Sequence, residues 1–329
     1  YPDPIAGPLG RVRRLGARLL GGVDTDSVFV VRSTTQGIAL AATGIPFRDG
    51  DNVVLVEREF PANLRPWLPL RRRGVEVRLV PQRQGRVAMD DVAEAVDDRT
   101  AAVSVSFVQF LSGFRLDPAP VAELCRRHDA LFVLDAIQGL GAFPLDVRAA
   151  GVDLVSADSH KWMLGPEGVG LGYVSPRALE RIQPAVEGWL SVEQPFDFFD
   201  LEQPLKAGGA RFEEGAYNVV GISGFRGCLE LILETGVGVI AQWILELTDH
   251  LAQGLQSRGW TVLSPRDVEG EKSGIVLTTR AGVDFEKLPE TLEARGIVAS
   301  VRGGALRLSP HGYNSMDEID RVLAVLGEG

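Results

Sequence analysis

Short apolar runs alternate with amphipathic segments along most of the chain. The runs are rich in valine and leucine, and such runs predict buried strands when turns bound them. They lie at residues 28–31, 52–57, 75–80, 101–107, 131–134, 152–157 and 170–174. Patterns with apolar residues every three or four positions predict helices between them, at 38–43, 64–73, 89–96 and 121–128. This alternation indicates an α/β fold with a mostly parallel sheet that carries helices on both faces.

The pattern changes toward the C-terminus, where helical runs become longer and strands shorter. Helices are predicted at 222–233, at 236–258 with an interruption near Gly254, at 285–295 and at 316–326. Strands predicted at 260–263, 273–278 and 306–308 alternate with them. We therefore expect a smaller αβ domain at this end of the chain.

The two ends of the chain suggest a division into three parts. Residues 1–10 are rich in proline and glycine and predict an irregular lead-in, and 12–20 predict a helix. We expect an N-terminal arm (1–20), a large domain (21–225) and a small C-terminal domain (226–329).

Composition and charge exclude several classes of function. The 329 residues are 45% hydrophobic and 24% charged, as in ordinary globular proteins. A net charge of −10 argues against nucleic-acid binding, which needs clustered positive charge. No signal-peptide pattern or membrane-spanning apolar run is visible, so we expect a cytoplasmic protein without membrane partners. Cys125 and Cys228 have no metal-ligand spacing and are expected to be small buried side chains.

Candidate chemistry centres on residues 152–175, where a strand ends in a polar turn before a loop rich in glycine and a further strand. The turn contains His160 and Lys161. Upstream, another apolar strand ends in Asp135. A lysine and an acid at two strand ends suit pyridoxal 5′-phosphate: the lysine would hold its aldehyde as an imine, and the acid would keep its pyridine nitrogen protonated.

A possible anion site lies nearer the N-terminus. Residues 33–37 (STTQG) follow a strand and precede a helix, and the unpaired N–H groups of a helix start attract anions. The same residues also suit a simple helix cap by Ser33 or Thr34.

The segments DAIQG, SADSHKW and GPEGVGLGYV together resemble the aminotransferase class V family of fold-type I pyridoxal-phosphate enzymes. That family includes cysteine desulfurases, kynureninases and isopenicillin N epimerase-like enzymes. The resemblance runs from about residue 28 to the C-terminus. It implies a seven-stranded-type sheet, an amino-acid substrate and a homodimer with shared active sites.

The resemblance also implies roles for individual residues. Lys161 and Asp135 would be catalytic, and Phe60 would stack on the pyridine face, although a core phenylalanine is the alternative. The other expected cofactor contacts are Thr34, Thr35, Gln138, Asp158, His160 and Asn218. Asp158 is unusual beside a phosphate, because like charges repel unless a donor lies between them. Ala216 replaces the threonine that the family sends to the neighbouring subunit's phosphate, and Tyr217 or Asn218 are the candidate substitutes.

Arg307 matches the arginine that binds the substrate carboxylate in the family, with Arg302 as its competitor. Gln109 and Ser112 are further candidate polar contacts. Cysteine desulfurases carry a nucleophilic cysteine shortly before this arginine, whereas here VASVRGGALRLS has none. We therefore disfavour desulfurase chemistry.

Transamination is the leading expectation for the reaction, with C–S lysis or epimerisation as alternatives. A nucleotide-binding oxidoreductase is disfavoured, because the glycines at 165–172 open no helix. A catalytically silent binding module is the remaining alternative, and we expect no metal.

Overall fold

The computed structural model describes residues 7–327. Its strands are β1 (Val28–Val31), β2 (Asn52–Val56), β3 (Glu76–Val80), β4 (Gln82–Arg83), β5 (Arg86–Val87), β6 (Thr100–Ser106), β7 (Leu131–Asp135), β8 (Leu154–Asp158), β9 (Gly170–Val174), β10 (Thr261–Val262), β11 (Val276–Thr279), β12 (Ser300–Arg302) and β13 (Ala305–Leu308). Its α-helices are α1 (Pro8–Leu19), α2 (Thr34–Gly44), α3 (Pro61–Leu64), α4 (Met89–Ala95), α5 (Pro118–Arg127), α6 (Pro176–Arg181), α7 (Val219–Thr235), α8 (Val237–Ser257), α9 (Leu288–Glu293) and α10 (Met316–Gly327).

The large sheet has seven strands in the order β1-β9-β8-β7-β6-β2-β3. Neighbours from β8 to β3 pair in parallel, whereas β9 pairs antiparallel with both β1 and β8. The prediction of a mostly parallel α/β sheet is therefore confirmed.

Helices cover both faces of this sheet, which explains why its central strands are apolar along their whole length. Alternate residues of a strand point to opposite faces, so Val53 and Leu55 pack under α2, while Val54 and Val56 pack on the face covered by α1, α5 and α7. All five residues of β7 are buried, including Asp135.

The small sheet is antiparallel, in the order β10-β11-β13-β12, and packs against α8 and α10. Gly303 and Gly304 connect β12 to β13, with φ values of 60° and 77°. Such left-handed conformations are accessible to glycine without strain, which permits a tight two-residue hairpin turn.

Several predicted boundaries were wrong, each for a physical reason. The interruption near Gly254 does not exist, because Leu323 of α10 packs where a side chain at Gly254 would lie, so the glycine serves helix contact within an unbroken α8. The helix predicted at 64–73 is replaced by α3 and a 3₁₀ segment, Leu68–Arg73. Strand β12 and helix α6 were missed.

The N-terminal prediction falls partly outside the described residues, since 1–6 are not among them. Helix α1 begins at Pro8, earlier than expected, and packs against α7. Helix α7 runs without a break through the expected domain boundary at 225/226, and residues on both sides, Phe225 and Leu229, lie in the core of the large sheet. The three-part division stays a prediction.

No single helix within residues 7–327 is both long and apolar enough to cross a membrane. Helices α7 and α8 would qualify only if taken together, and they bend by 80° at their junction.

Candidate active site

Lys161 lies on a tightly held loop after β8. Ser159 fastens this loop: its N–H donates to Val169 O (3.0 Å), and its hydroxyl donates to Pro166 O (2.8 Å). A side chain at Gly165 would collide with Ser159, which explains the glycine. Burial lowers the pKa of Lys161, although Asp135 opposes this shift. Burial thus favours the neutral amine, which is the nucleophilic form.

Asp135 ends β7 and is fully buried. Its Oδ1 accepts the N–H of Ile137 (3.0 Å), whereas its Oδ2 is buried without a hydrogen-bond partner among the described residues. Burial raises the pKa of Asp135 to about 7, and the nearby Glu59 adds to this. A buried carboxylate oxygen without a donor is costly, so this site is built to receive a hydrogen-bond donor, preferably a cationic one.

Gln138 is oriented by Trp162, the residue after Lys161. The indole Nε1 donates to Gln138 Oε1 (3.0 Å), so the amide NH₂ is the end of Gln138 that is left to donate elsewhere.

Phe60 is 42% exposed, so the alternative of a core phenylalanine is wrong. Its ring centroid lies 5.3 Å from Lys161 Nζ, and the edge of a second ring, Phe110, supports it at 5.4 Å. An open aromatic face beside the lysine suits stacking against a flat heteroaromatic ring.

Arg307 lies on strand β13 of the small sheet, and its charge acts on Lys161. Its Nη1 donates to the backbone oxygen of Phe110 (2.8 Å), and its Nε is buried without a hydrogen bond. It has no carboxylate partner in the part of the chain that the structure describes. Burial lowers the pKa of Arg307, and the charge of Arg302 lowers it further. A half-buried guanidinium with free donors is suited to bind a carboxylate.

The turn before α2 adjoins the same loop. Ser33 is the helix cap, since its hydroxyl accepts the N–H of Gln36 (3.2 Å). The hydroxyl of Thr34 is buried and accepts the N–H of Asp158 (3.0 Å), while Thr35 is exposed. The structure thus brings the N-terminus of α2 to the end of β8.

A family model for aminotransferase class V matches residues 9–322. The chain belongs to the aminotransferase class V family. A protein of Methanothermobacter thermautotrophicus named as a probable cysteine desulfurase is 28% identical over 92% of this chain and 79% of its own length. A Bacillus subtilis protein named as an uncharacterized aminotransferase is 24% identical over 93% of this chain and 80% of its own length.

The apo structure of a cysteine desulfurase from Thermococcus onnurineus superposes with a TM-score of 0.89, at 22% identity, over 98% of this chain and 84% of that one. This likeness shows the shared fold. The protein is a pyridoxal-phosphate-dependent enzyme of fold type I.

The residues of this class V enzyme fit pyridoxal phosphate. Asp135 offers its unpartnered Oδ2 to a protonated ring nitrogen, and Gln138 offers its amide NH₂. Lys161 offers an amine, and Phe60 an aromatic face. These contacts with the cofactor remain predictions.

Asp158 lies beside two neighbouring nitrogen groups. Its Oδ1 accepts the N–H of Ser159 (2.8 Å), and its Oδ2 lies 3.3 Å from Nδ1 of His160. A His160 ring held by Asp158 at one nitrogen can donate from the other, which suits a phosphate contact through the histidine rather than through the aspartate.

Asn218 caps α7, accepting the N–H of Gly221 (2.9 Å). With Arg32 and Gln36 it borders a surface cavity of about 550 Å³. Ala216, in the same cavity, is exposed.

Gln109, Ser112 and Cys228 differ from expectation. Gln109 bonds to Glu59 and Gln82, and the Ser112 hydroxyl donates to Gly85 O (2.6 Å), so both are engaged within the protein. Cys228 is only partly buried, and its thiol donates to Leu164 O (3.1 Å).

Glu59 was missed by sequence reasoning. It follows β2, is fully buried, and accepts bonds from Ser106 N (2.8 Å), Ser106 Oγ (2.5 Å) and Gln109 Nε2 (2.9 Å). Burial raises the pKa of Glu59. Ser106 pairs with Asp135 in the sheet, which brings the two acids together. The sequence signal for Glu59 was an acid shortly after an apolar strand. Acidic residues in exposed turns show the same pattern, so this signal did not distinguish a buried acid.

Substitutions of Thr34 and Thr35 separate structural support from phosphate binding. Thr34→Val leaves the buried N–H of Asp158 without an acceptor, so we expect a loss of about 1–3 kcal/mol in the free energy of unfolding, with or without cofactor. Thr35→Val should leave the stability of the cofactor-free protein unchanged and weaken cofactor binding. Urea unfolding and cofactor titration measure the two effects, and equal loss of stability in both variants would contradict the assignment.

Proposed function

We propose that this enzyme transfers the amino group of an amino acid, with Lys161 as its acid–base group. When bound, pyridoxal phosphate supplies an aldehyde that joins the substrate amine and a ring that accepts electrons from the Cα–H bond. The observation that carries the proposal is the position of Lys161: a lysine of lowered pKa, 5.3 Å from the ring centroid of Phe60, with Asp135 and Arg307 acting on its charge.

Lys161 would take the proton from the substrate Cα, and its amine would carry that proton until it is given back. Transamination needs one such base. Epimerisation by two bases needs a second proton carrier on the opposite side, where we expect Phe60, and a phenyl ring carries no exchangeable proton. Phe60 thus supports transamination over two-base epimerisation.

Arg307 would hold the substrate carboxylate. The short turn before it argues against the desulfurase alternative. Gly303 and Gly304 close the β12–β13 hairpin directly, and no cysteine occurs in 300–308. Cys125 is buried in α5, and burial raises its pKa to about 12, which keeps it protonated and poorly nucleophilic. Cys228 is partly buried on α7, its thiol donates to Leu164 O (3.1 Å), and burial raises its pKa as well. Neither thiol is therefore favoured as a persulfide carrier, which supports transamination over desulfurase chemistry.

The test follows the visible spectrum of the purified yellow protein as single amino acids are added. Transamination predicts conversion to the pyridoxamine form with release of the matching 2-oxo acid. Release of pyruvate with sulfide, from cysteine or cystine, would instead indicate elimination, and loss of optical activity without release would indicate epimerisation.

Arg307→Lys tests the carboxylate assignment. A lysine keeps the charge and loses the two-pronged donor geometry, so KM should rise roughly ten- to hundredfold for every amino acid while kcat changes little. Steady-state kinetics measure this, with Arg72→Lys on the exposed 3₁₀ segment as the control. A reduced kcat at unchanged KM would contradict the assignment.

We also propose that the enzyme acts as a cytoplasmic homodimer. Support for a dimer comes from large exposed apolar residues, which suit burial against a second subunit: Phe198, Phe199, Leu201, Val219 and Val220. Sedimentation equilibrium measures the oligomeric state, and a monomer at micromolar concentration would contradict the proposal.

A further inference from the structure

Two arginines flank the Gly303–Gly304 turn at the mouth of the candidate site. Arg58 belongs to the large domain and stands two residues before Phe60. Arg302 belongs to β12. Within the described residues, neither makes an ion pair with a carboxylate, and the only hydrogen bond of Arg302 goes to the backbone oxygen of Val301 (3.1 Å). Both side chains are exposed, so each is accessible to an incoming anion.

Arg302 and Arg307 project from the same face of the small sheet. Arg307 pairs with Ser300, and Arg302 pairs with Ala305, in the antiparallel β12–β13 ladder. Two residues that pair across the ladder lie on the same face, so Ser300 and Arg307 share a face. Arg302 stands two positions after Ser300 on its strand and therefore shares this face as well. Such a diagonal pair, here Arg302 and Arg307, is typically separated by roughly 7–8 Å. The charge of Arg302 indeed reaches Arg307, since it lowers the pKa of Arg307.

Arg58 approaches the same turn from the other domain. A methyl group added at Gly303 would lie 3.5 Å from Arg58 Nη2 and 3.5 Å from Leu111. Arg58 has a φ of 57°, a left-handed conformation that is uncommon for any residue other than glycine, asparagine or aspartate. Strained backbone of this kind tends to occur at binding sites, where the fold imposes it.

A cavity of about 630 Å³ opens beside these residues, within the range of small-ligand sites. Arg58, Gly303 and Ala305 line it, and Arg302 adjoins it through Gly303, its neighbour in the chain. The lining also contains Asp267, whose charge is paired with Arg86. Both guanidinium groups belong to residues at the same turn, so an anion bound at that turn would be attracted by both positive charges.

We propose that Arg58 and Arg302 form a second anion subsite, which selects amino acids whose side chain ends in an acidic group. This inference rests on the proposed function, in which Arg307 takes the α-carboxylate. The distal acid, a carboxylate or a sulfonate, is bound between the two domains at the hairpin turn. Arg58 and Arg302 determine specificity and take no part in proton transfer.

Matched substrates test the subsite. L-aspartate, L-glutamate and L-cysteate are compared with L-asparagine and L-glutamine, which have similar shapes and no side-chain charge. The expected kcat/KM for the best acid exceeds that for its amide at least tenfold, since a hydrogen-bonded charge contributes roughly ten- to hundredfold. Equal or better turnover of the amides overturns the proposal.

Two variants locate the effect. Arg58→Asn removes the charge with a residue that tolerates the left-handed conformation, so the fold is retained, and Arg302→Gln removes the second charge. Each should reduce the acid-to-amide ratio roughly tenfold or more, with the amide rates little changed. Arg72→Gln, on the exposed 3₁₀ segment Leu68–Arg73, is the control and should leave the ratio unchanged. An equal loss of kcat/KM with the acidic amino acids and with their amides overturns the proposal.

Binding of unreactive acids separates failure of the subsite from failure of the proposed function. Calorimetry with the holoenzyme should show glutarate binding at least tenfold more tightly than butyrate, and Arg58→Asn should abolish the difference. If no amino acid reacts while this preference persists, the proposed function fails and the anion subsite stands. If amino acids react while glutarate binds no better than butyrate, the subsite fails alone.

Discussion

Lys161→Ala is expected to remove the visible absorbance of the bound cofactor and to lower turnover by at least roughly 10³-fold. The physical reason is that, in the proposed function, the amine performs two tasks, capture of the aldehyde and transport of the substrate proton. Burial lowers the pKa of Lys161, so its amine is more readily neutral than that of an exposed lysine. Absorbance spectroscopy and steady-state kinetics measure the two losses.

The chain offers a simple control, because it has four lysines: Lys161, Lys206, Lys272 and Lys287. Lys287→Ala removes an exposed amine and should alter neither the spectrum nor the rate. Added methylamine should partly restore the Lys161→Ala rate if the missing function is proton transfer. A normal yellow spectrum in Lys161→Ala would contradict the assignment of Lys161 as the residue that binds the cofactor aldehyde.

Asp135→Asn is expected to act in opposite directions on activity and on the stability of the cofactor-free protein. An amide keeps the shape of the side chain and loses the charge that holds a ring nitrogen protonated. We therefore expect turnover to fall by roughly 10²–10³-fold, the equivalent of about 3–4 kcal/mol for a buried charge interaction. Steady-state kinetics measure this loss.

The effect on stability follows from the raised pKa of Asp135. Its folded-state pKa of about 7 lies above the ordinary value of 3.8, so the folded protein binds the proton more tightly than the unfolded chain. The free energy of unfolding of the cofactor-free protein should therefore fall as pH rises from about 4 to about 7, by up to roughly 4 kcal/mol. Asp135→Asn should remove this dependence and raise stability at pH 8, as measured by urea unfolding.

Asp153 provides the matched control. It is also buried in the large domain, but its oxygens are fully used: it accepts from Phe132 N (3.0 Å) and Ser175 Oγ (2.8 Å) and pairs with Arg177 (2.6 Å). Asp153→Asn should lower stability by about 1–3 kcal/mol. If Asp135→Asn also lowers the stability of the cofactor-free protein at pH 8, Asp135 is a structural residue and its proposed role is wrong.

The strands that deliver the candidate site were predictable from local pattern. Apolar runs ending in Asp135 and Asp158 predict two buried strands, and parallel strands end at the same edge of a sheet. The residues that follow these ends, Gln138 and Lys161, therefore share that edge. Phe60 also follows a strand of this sheet, β2, but its stacking role was implied by the family resemblance rather than by local pattern.

Boundaries and small elements were less predictable, because tertiary contacts decide them. Gly254 looked like a helix breaker, yet its missing side chain is what allows α10 to pack against α8. Strand β12 has only three residues, Ser300–Arg302, and is stabilised by its pairing with β13 rather than by its own apolar pattern.

The sequence by itself determined which side chains end the central strands. A strand that is buried on both faces consists of a continuous run of apolar residues, and this run stops where the chain reaches the sheet edge. Only the tertiary structure decided which side chains meet there from distant segments: Glu59 beside Asp135, Trp162 on Gln138, and Arg58 against the turn that carries Arg302. These contacts depend on strand order, on register and on the approach of the small domain, and no local pattern of residues encodes them.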